Sequence, residues 1–258
     1  MPRARTMVST IANFELATRY LHDWALATIN QSGSYGISSA NLADGMATRA
    51  YFESAIAAQD PIFVWMNGHG NENKLGGQNN EIILDTNNNG ILSGRVCYAF
   101  SCLTAIELGP STVEKGGLSY IGYSADFVFL YDTQAASPLS DKSARWFMVP
   151  GVQIGLSLFQ GKTTGEAYAD SQSVFMMGMD YWENSTDVLA PQMLACLYQD
   201  KGFQSLIGST TATITPDKRY SPPRMPTESP IQAGLSSLIT LSLIGTSLYY
   251  LMKGRLKL

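Results

Sequence analysis

Pro61-Ile62-Phe63-Val64-Trp65-Met66-Asn67-Gly68-His69-Gly70 decides how this chain is read. An unbroken apolar run is the pattern of a strand covered on both faces, and the Asn-Gly-His-Gly that follows is turn chemistry. The arrangement recurs downstream, where Val96-Cys97-Tyr98-Ala99-Phe100 leads into Ser101-Cys102-Leu103. Glu81 to Leu84, Leu118 to Tyr123 and Asp126 to Leu130 read as further strands, the last extending the same edge.

Between and around these runs the apolar spacing changes to three and four residues. Phe14 to Ile29, Ala47 to Ala57, Ser143 to Phe147, Val152 to Phe159, Thr164 to Met177 and Met193 to Tyr198 read as helices. Strands alternating with helices predict an α/β sandwich with a mostly parallel central sheet. Such sheets bind ligands at the carboxyl ends of their strands. That rule singles out His69 and Cys102, each just past its own apolar strand.

The composition leaves few rivals to this pair. The chain has 258 residues, two histidines, His22 and His69, and three cysteines, Cys97, Cys102 and Cys196. With 17 Lys and Arg against 21 Asp and Glu, it lacks the basic balance that phosphate neutralisation demands, so nucleic acid is not an expected partner. Sparse, odd cysteines exclude a disulfide scaffold, and no CxxC or HExxH spacing starts a zinc site. Cys97 lies mid-strand, Cys196 in an apolar helix and His22 in the first helix as a partly exposed residue, all three structural in this reading.

A histidine beside a cysteine is a chemical unit. The imidazole takes the thiol proton and the thiolate is the nucleophile. The amides of Gly70 and Cys102 would form an oxyanion hole, and glycine at position 70 would let a carbonyl approach the backbone.

A hydrophobic strand ending in His-Gly, then one ending in a small residue and Cys, resembles the caspase-like cysteine peptidases. The 33-residue step from His69 to Cys102 and the later Gly116-Gly117-Leu118-Ser119-Tyr120-Ile121-Gly122-Tyr123 are closest to the gingipain-like and CHAT branch. The resemblance covers roughly residues 6 to 180. It implies a caspase-like three-layer sandwich and a cysteine endopeptidase acting on a peptide or protein substrate. His69 would be general base and acid, Cys102 the nucleophile, and Gly70 and Cys102 the oxyanion donors. Ser101 would line the first specificity pocket, and Tyr123, Ser124 and Ala125 would flank the substrate backbone. Asp126 or Asp132 could supply a pocket carboxylate for Arg or Lys, though each reads first as a solvated loop acid. The caspase Gln-Ala-Cys-x-Gly signature is absent, so specificity for Asp is not implied. A catalytically silent peptide-binding relative and a membrane-anchored scaffold are the competing readings.

No cofactor is expected. Asp85-Thr86-Asn87-Asn88-Asn89-Gly90 matches the first half of a calcium loop, with Asp85, Asn87 and Asn89 as ligands, but Val96 stands where the bidentate Glu belongs. The alternative is an Asn-rich turn. Gly161-Lys162-Thr163-Thr164-Gly165-Glu166 lacks phosphate-loop spacing and reads as a helix cap.

The chain divides at about residue 210. Residues 1–210 form the expected peptidase domain, and 211–230, with five prolines, read as an extended linker. Residues 231–252 carry no charge and would rise about 33 Å as a helix, roughly one hydrocarbon core. Tyr249, Tyr250 and the basic 253–258 tail suit a membrane interface, against which stand six Ser and Thr and one Gln. A membrane anchor is therefore expected, with an amphipathic helix packed on the domain or a partner as the alternative. The positive end favours the cytoplasm and an outside domain; with no signal peptide visible in residues 1–11, a cytoplasmic tail anchor is the other topology.

Overall fold

The computed structural model describes residues 5–214 and 249–253. Six strands form its main sheet: β1 (Thr6–Ile11), β2 (Ser38–Ala43), β3 (Phe63–Asn67), β6 (Val96–Phe100), β7 (Ser119–Tyr123) and β9 (Gln204–Gly208). Their order across the sheet is β2-β1-β3-β6-β7-β9. All pair in parallel except β9, which lies antiparallel on β7. Two short antiparallel pairs lie outside it, β4 (Lys74–Gly76) with β5 (Ile82–Asp85) and β8 (Val128–Asp132) with β10 (Tyr249–Lys253).

The apolar strands are unbroken because both faces are covered. Phe63, Trp65, Tyr98 and Phe100 join one core with α1 (Leu16–Ile29), α4 (Arg145–Phe159), α5 (Thr164–Glu183) and α6 (Ala190–Phe203). Val64, Met66, Cys97 and Ala99 join a second core with α2 (Arg49–Gln59), α3 (Leu108–Glu114) and β5. The architecture is the expected α/β sandwich in three layers.

The differences from expectation are local. β1 carries Ser9 and Thr10 among its apolar residues, which hides its place inside the sheet. The helices expected at 143–147 and 152–159 are one helix, α4, which passes through Pro150. Thirteen of its fifteen residues are buried, so packing outweighs the hydrogen bond that proline removes. β8 does not extend the main sheet; the partner of β7 is β9, at the end of α6. Tyr249–Lys253 form a strand on β8 rather than the end of a helix, and residues 215–248 lie outside the described residues, with nearly all of the expected linker and most of the expected anchor. Among the described residues no helix is long and apolar enough to cross a membrane.

Helix α4 lies close on the sheet because it presents glycine to the rings beneath it. A Cβ on Gly155 would stand 1.9 Å from the Trp65 indole, and one on Gly151 would stand 2.2 Å from the Phe100 ring. Gly155→Ala is therefore expected to lower the unfolding free energy by about 1–3 kcal/mol, read as a reduced urea midpoint; an unchanged midpoint would show that the helix is free to lift.

Candidate functional site

The register of the two central strands builds the site. Asn67, the last residue of β3, sits opposite Phe100, the last of β6. Carried two residues further, that register sets His69 level with Cys102. Both lie at the carboxyl end of the sheet, and both are buried, His69 at 5% exposure and Cys102 at 2%.

The two turns touch through glycine. A Cβ on Gly70 would lie 2.3 Å from the Cys102 carbonyl oxygen, 2.3 Å from Ser101 Oγ and 2.7 Å from Thr104 Cγ2. Gly70 thus admits the neighbouring turn itself, a nearer requirement than the substrate carbonyl expected from the sequence. Gly68 is equally constrained, its Cβ position lying 1.9 Å from the Gly76 carbonyl oxygen. The His69 turn is tied by Gly76 N–H to His69 O at 2.8 Å and Asn71 N–H to Lys74 O at 3.1 Å, bonds that leave the Gly70 N–H unused. The amides of Glu107 and Leu108 donate to Glu72 O and hold the segment after Cys102 against the same turn.

The histidine has a partner that sequence spacing does not disclose. His69 Nε2 is hydrogen-bonded to Glu15 Oε1. An ionised carboxylate only accepts, so the hydrogen-bond network assigns the proton to Nε2 and leaves Nδ1 as the acceptor. Phe14 meets the ring edge-on, with centroids 5.8 Å apart. Glu15 is the N-cap of α1, where a negative charge is favoured. Its loop is pinned by Gln78, which accepts from Asn13 N–H at 2.9 Å and donates to Asn13 O at 3.1 Å. Glu is an uncommon N-cap, and that is the one signal the sequence held.

The cysteine faces a third segment, the β7–β8 loop. Phe127 N–H donates to Cys102 Sγ at 3.2 Å, and the thiol lies 3.8 Å from Phe127 O. Donation to sulfur strengthens as negative charge grows there. Leu103 takes the left-handed conformation at φ 61°, which is strained for a leucine, and its N–H donates to Ala125 O. Helix α6 holds the loop from behind: Gln199 donates to Asp126 O at 2.8 Å, and Asp200 accepts from Val128 N–H at 2.9 Å.

The remaining predicted site residues fall in different places. Ser101 is buried beside Gly70, and its hydroxyl has no hydrogen-bond partner. Tyr123 points into the core, where it stacks on Phe100 and accepts from Gln204 Nε2, and burial pushes its phenol well above the ordinary range. Ser124 is tied to Phe203 O through both its amide and its hydroxyl. The Asp126 side chain is buried. Asp132 Oδ1 accepts from Gln134 N–H, in the loop beyond β8. Cys97 lies in the opposite core with its thiol pushed up to about 12 by burial, and Cys196 is buried in α6. His22 is buried against Asp23 rather than partly exposed.

The loop with the weak calcium pattern meets cations of its own. Asp85 accepts from the amides of Asn87 and Asn88, and its second oxygen meets Arg49 at 3.2 Å. Asn89 Oδ1 accepts from Lys115 Nζ, which also donates to Thr86 O. The oxygens face a guanidinium and an ammonium in separate places, as an Asn-rich turn.

A known structure shares this arrangement of sheet and helices. The crystal structure of the Arg-specific cysteine proteinase gingipain R (RGPB) aligns with 81% of this chain and 46% of its own, at a TM-score of 0.51 and 11% identity. The chain shares that fold. The complex of the pro- and mature domains of Porphyromonas gingivalis RgpB aligns over 81% of this chain and 48% of its own, at a TM-score of 0.47 and 11% identity. The chain thus spans less than half the length of either structure, and at this identity the likeness is one of fold. No protein-family model and no curated protein matches the sequence.

Asp200 supplies a test of how the loop is held. Its carboxyl is wholly buried, one oxygen has no partner, and burial holds its pKa well above the ordinary carboxylate range. The folded state keeps a proton that an unfolded aspartate releases near pH ~4, so stability falls as pH rises from there toward the raised value. Asp200→Asn keeps an oxygen for Val128 and removes the titration. The variant is expected to exceed the natural chain by about 1 kcal/mol at pH 7 and to match it near pH ~4, in urea unfolding; a natural chain that gains stability across that range would contradict the burial argument.

Proposed function

We propose that this chain is a cysteine endopeptidase, with Cys102 as nucleophile and His69 as general base and acid. The observation that carries the reading is the contact of the Gly70 turn with Cys102, which joins the histidine and cysteine turns at the ligand-binding end of the sheet. The likeness of fold to a cysteine proteinase supports it.

The chemistry follows from the atoms available. Cys102 Sγ attacks the peptide carbonyl carbon while its proton passes to His69 Nδ1. Negative charge moves to the carbonyl oxygen, toward the amides of Gly70 and Cys102. As the intermediate collapses, the imidazolium returns the proton to the leaving amine and a thioester remains. Water, deprotonated by the same imidazole, then releases the acid and restores the thiol. Glu15 is a positioning residue in this scheme: it fixes Nε2 as the protonated nitrogen and steadies the imidazolium.

Hydrolysis of a mixed peptide library, followed by mass spectrometry, tests the proposal. Cys102→Ala and His69→Ala are expected to abolish cleavage, Cys97→Ala to retain it, and Glu15→Gln to lower kcat about 100-fold with KM little changed. Cleavage that survives Cys102→Ala overturns the proposal. Peptide binding with no cleavage in the natural chain replaces it with a silent peptide-binding module.

A further inference from the structure

We propose that the recess beside Cys102 receives the substrate side chain on the acyl side of the scissile bond, and that it selects a small aliphatic one. The inference rests on the peptidase reading and gives it a substrate class.

The recess is lined by Ala17 and Leu21 of α1, Phe100, Phe127 and Phe129, with Gly68, Ser101 and Cys102 at the end nearest the two turns. The recess shares Ser101 and Cys102 with the contact at Gly70, so the proposal seats there the side chain of the residue whose carbonyl Cys102 attacks. No Asp, Glu, Lys or Arg lines it. A charged side chain entering would lose its hydration with nothing to pair it.

The acids nearby are engaged elsewhere. Glu15 is bonded to His69. Asp200 is bonded to Val128 N–H and wholly buried behind the loop. Asp126, which the sequence offered as a pocket carboxylate, is not among the lining residues. Gingipain R is Arg-specific. The walls of this recess hold no carboxylate that would pair with an arginine.

Size narrows the choice further. The recess has room for about one water molecule or methyl group. Alanine fits it, valine needs the walls to admit two further methyl groups, and a leucine or an aromatic ring must displace Leu21 or Phe127. These wall residues are at most 7% exposed, so displacement disturbs a packed core.

A series of peptidyl acyloxymethyl ketones, differing only in the residue next to the electrophile, separates the outcomes on the full chain. Mass spectrometry reads the rate at which each labels Cys102. Ala and Val reagents are expected to label at least about ten-fold faster than Arg, Lys, Asp or Phe reagents. Leu21→Ala widens the recess and should raise labelling by Leu and Phe reagents about ten-fold; Ala17→Val narrows it and should slow the Val reagent more than the Ala reagent. Fastest labelling by Arg, Lys, Asp or Phe reagents overturns this inference and leaves the peptidase standing. An order unmoved by either variant does the same. Failure of every reagent to label Cys102 overturns the peptidase reading and the inference with it.

Discussion

The site depends on one steric constraint, the absence of a side chain at Gly70. The carbonyl of Cys102, the hydroxyl of Ser101 and the methyl of Thr104 all occupy the space a Cβ would need. Any other residue there would push the histidine turn off the cysteine turn. Parallel pairing of β3 and β6 brings the two strand ends level, and the glycine lets the chains beyond them close. A glycine pair, Gly151 and Gly155, serves the same end from below, since it seats α4 against Phe100 and Trp65 and so fixes the strands from which the turns emerge.

From that contact the other supports radiate outward. Asn67 accepts from Trp65 Nε1 and donates to Leu21 O, which ties the end of β3 to α1. Helix α1 in turn brings Glu15 to His69 and Leu21 to the recess. On the other side α6 grips residues 126–128 with Gln199 and Asp200, and Phe127 reaches Cys102. Histidine and cysteine are thus each supported by a different helix, α1 for the histidine and α6 for the loop that reaches the cysteine. Such a division lets one helix set the imidazole and another set the thiol.

Much of this is legible in the sequence, and the limits have physical reasons. Unbroken apolar runs at 62–66 and 96–100 mark doubly covered strands, and the rule of strand ends then selects His69 and Cys102 from five histidines and cysteines. β1 escapes the pattern because Ser9 and Thr10 interrupt its apolar run; Ser9 is satisfied by a hydrogen bond to Asn41 on β2. Glu15 escapes because its contact spans 54 positions, a distance no local pattern encodes. The charges that meet the Asn-rich loop are hidden for a related reason: Lys115 and Arg49, which bond its oxygens, lie far from it in sequence. Asp126 attracts notice by its position after a strand, yet it is not among the residues lining the recess, whose character is set by Leu21 and the phenylalanines.

The proposed peptidase chemistry requires His69 and Cys102 to act as one chemical unit. The most direct measurement of that coupling is the pH dependence of iodoacetamide alkylation at Cys102, in the natural chain and in His69→Gln. The natural chain is expected to be alkylated at distinctly lower pH than His69→Gln, because the imidazole takes the thiol proton. Identical pH profiles for the two proteins would contradict the coupling.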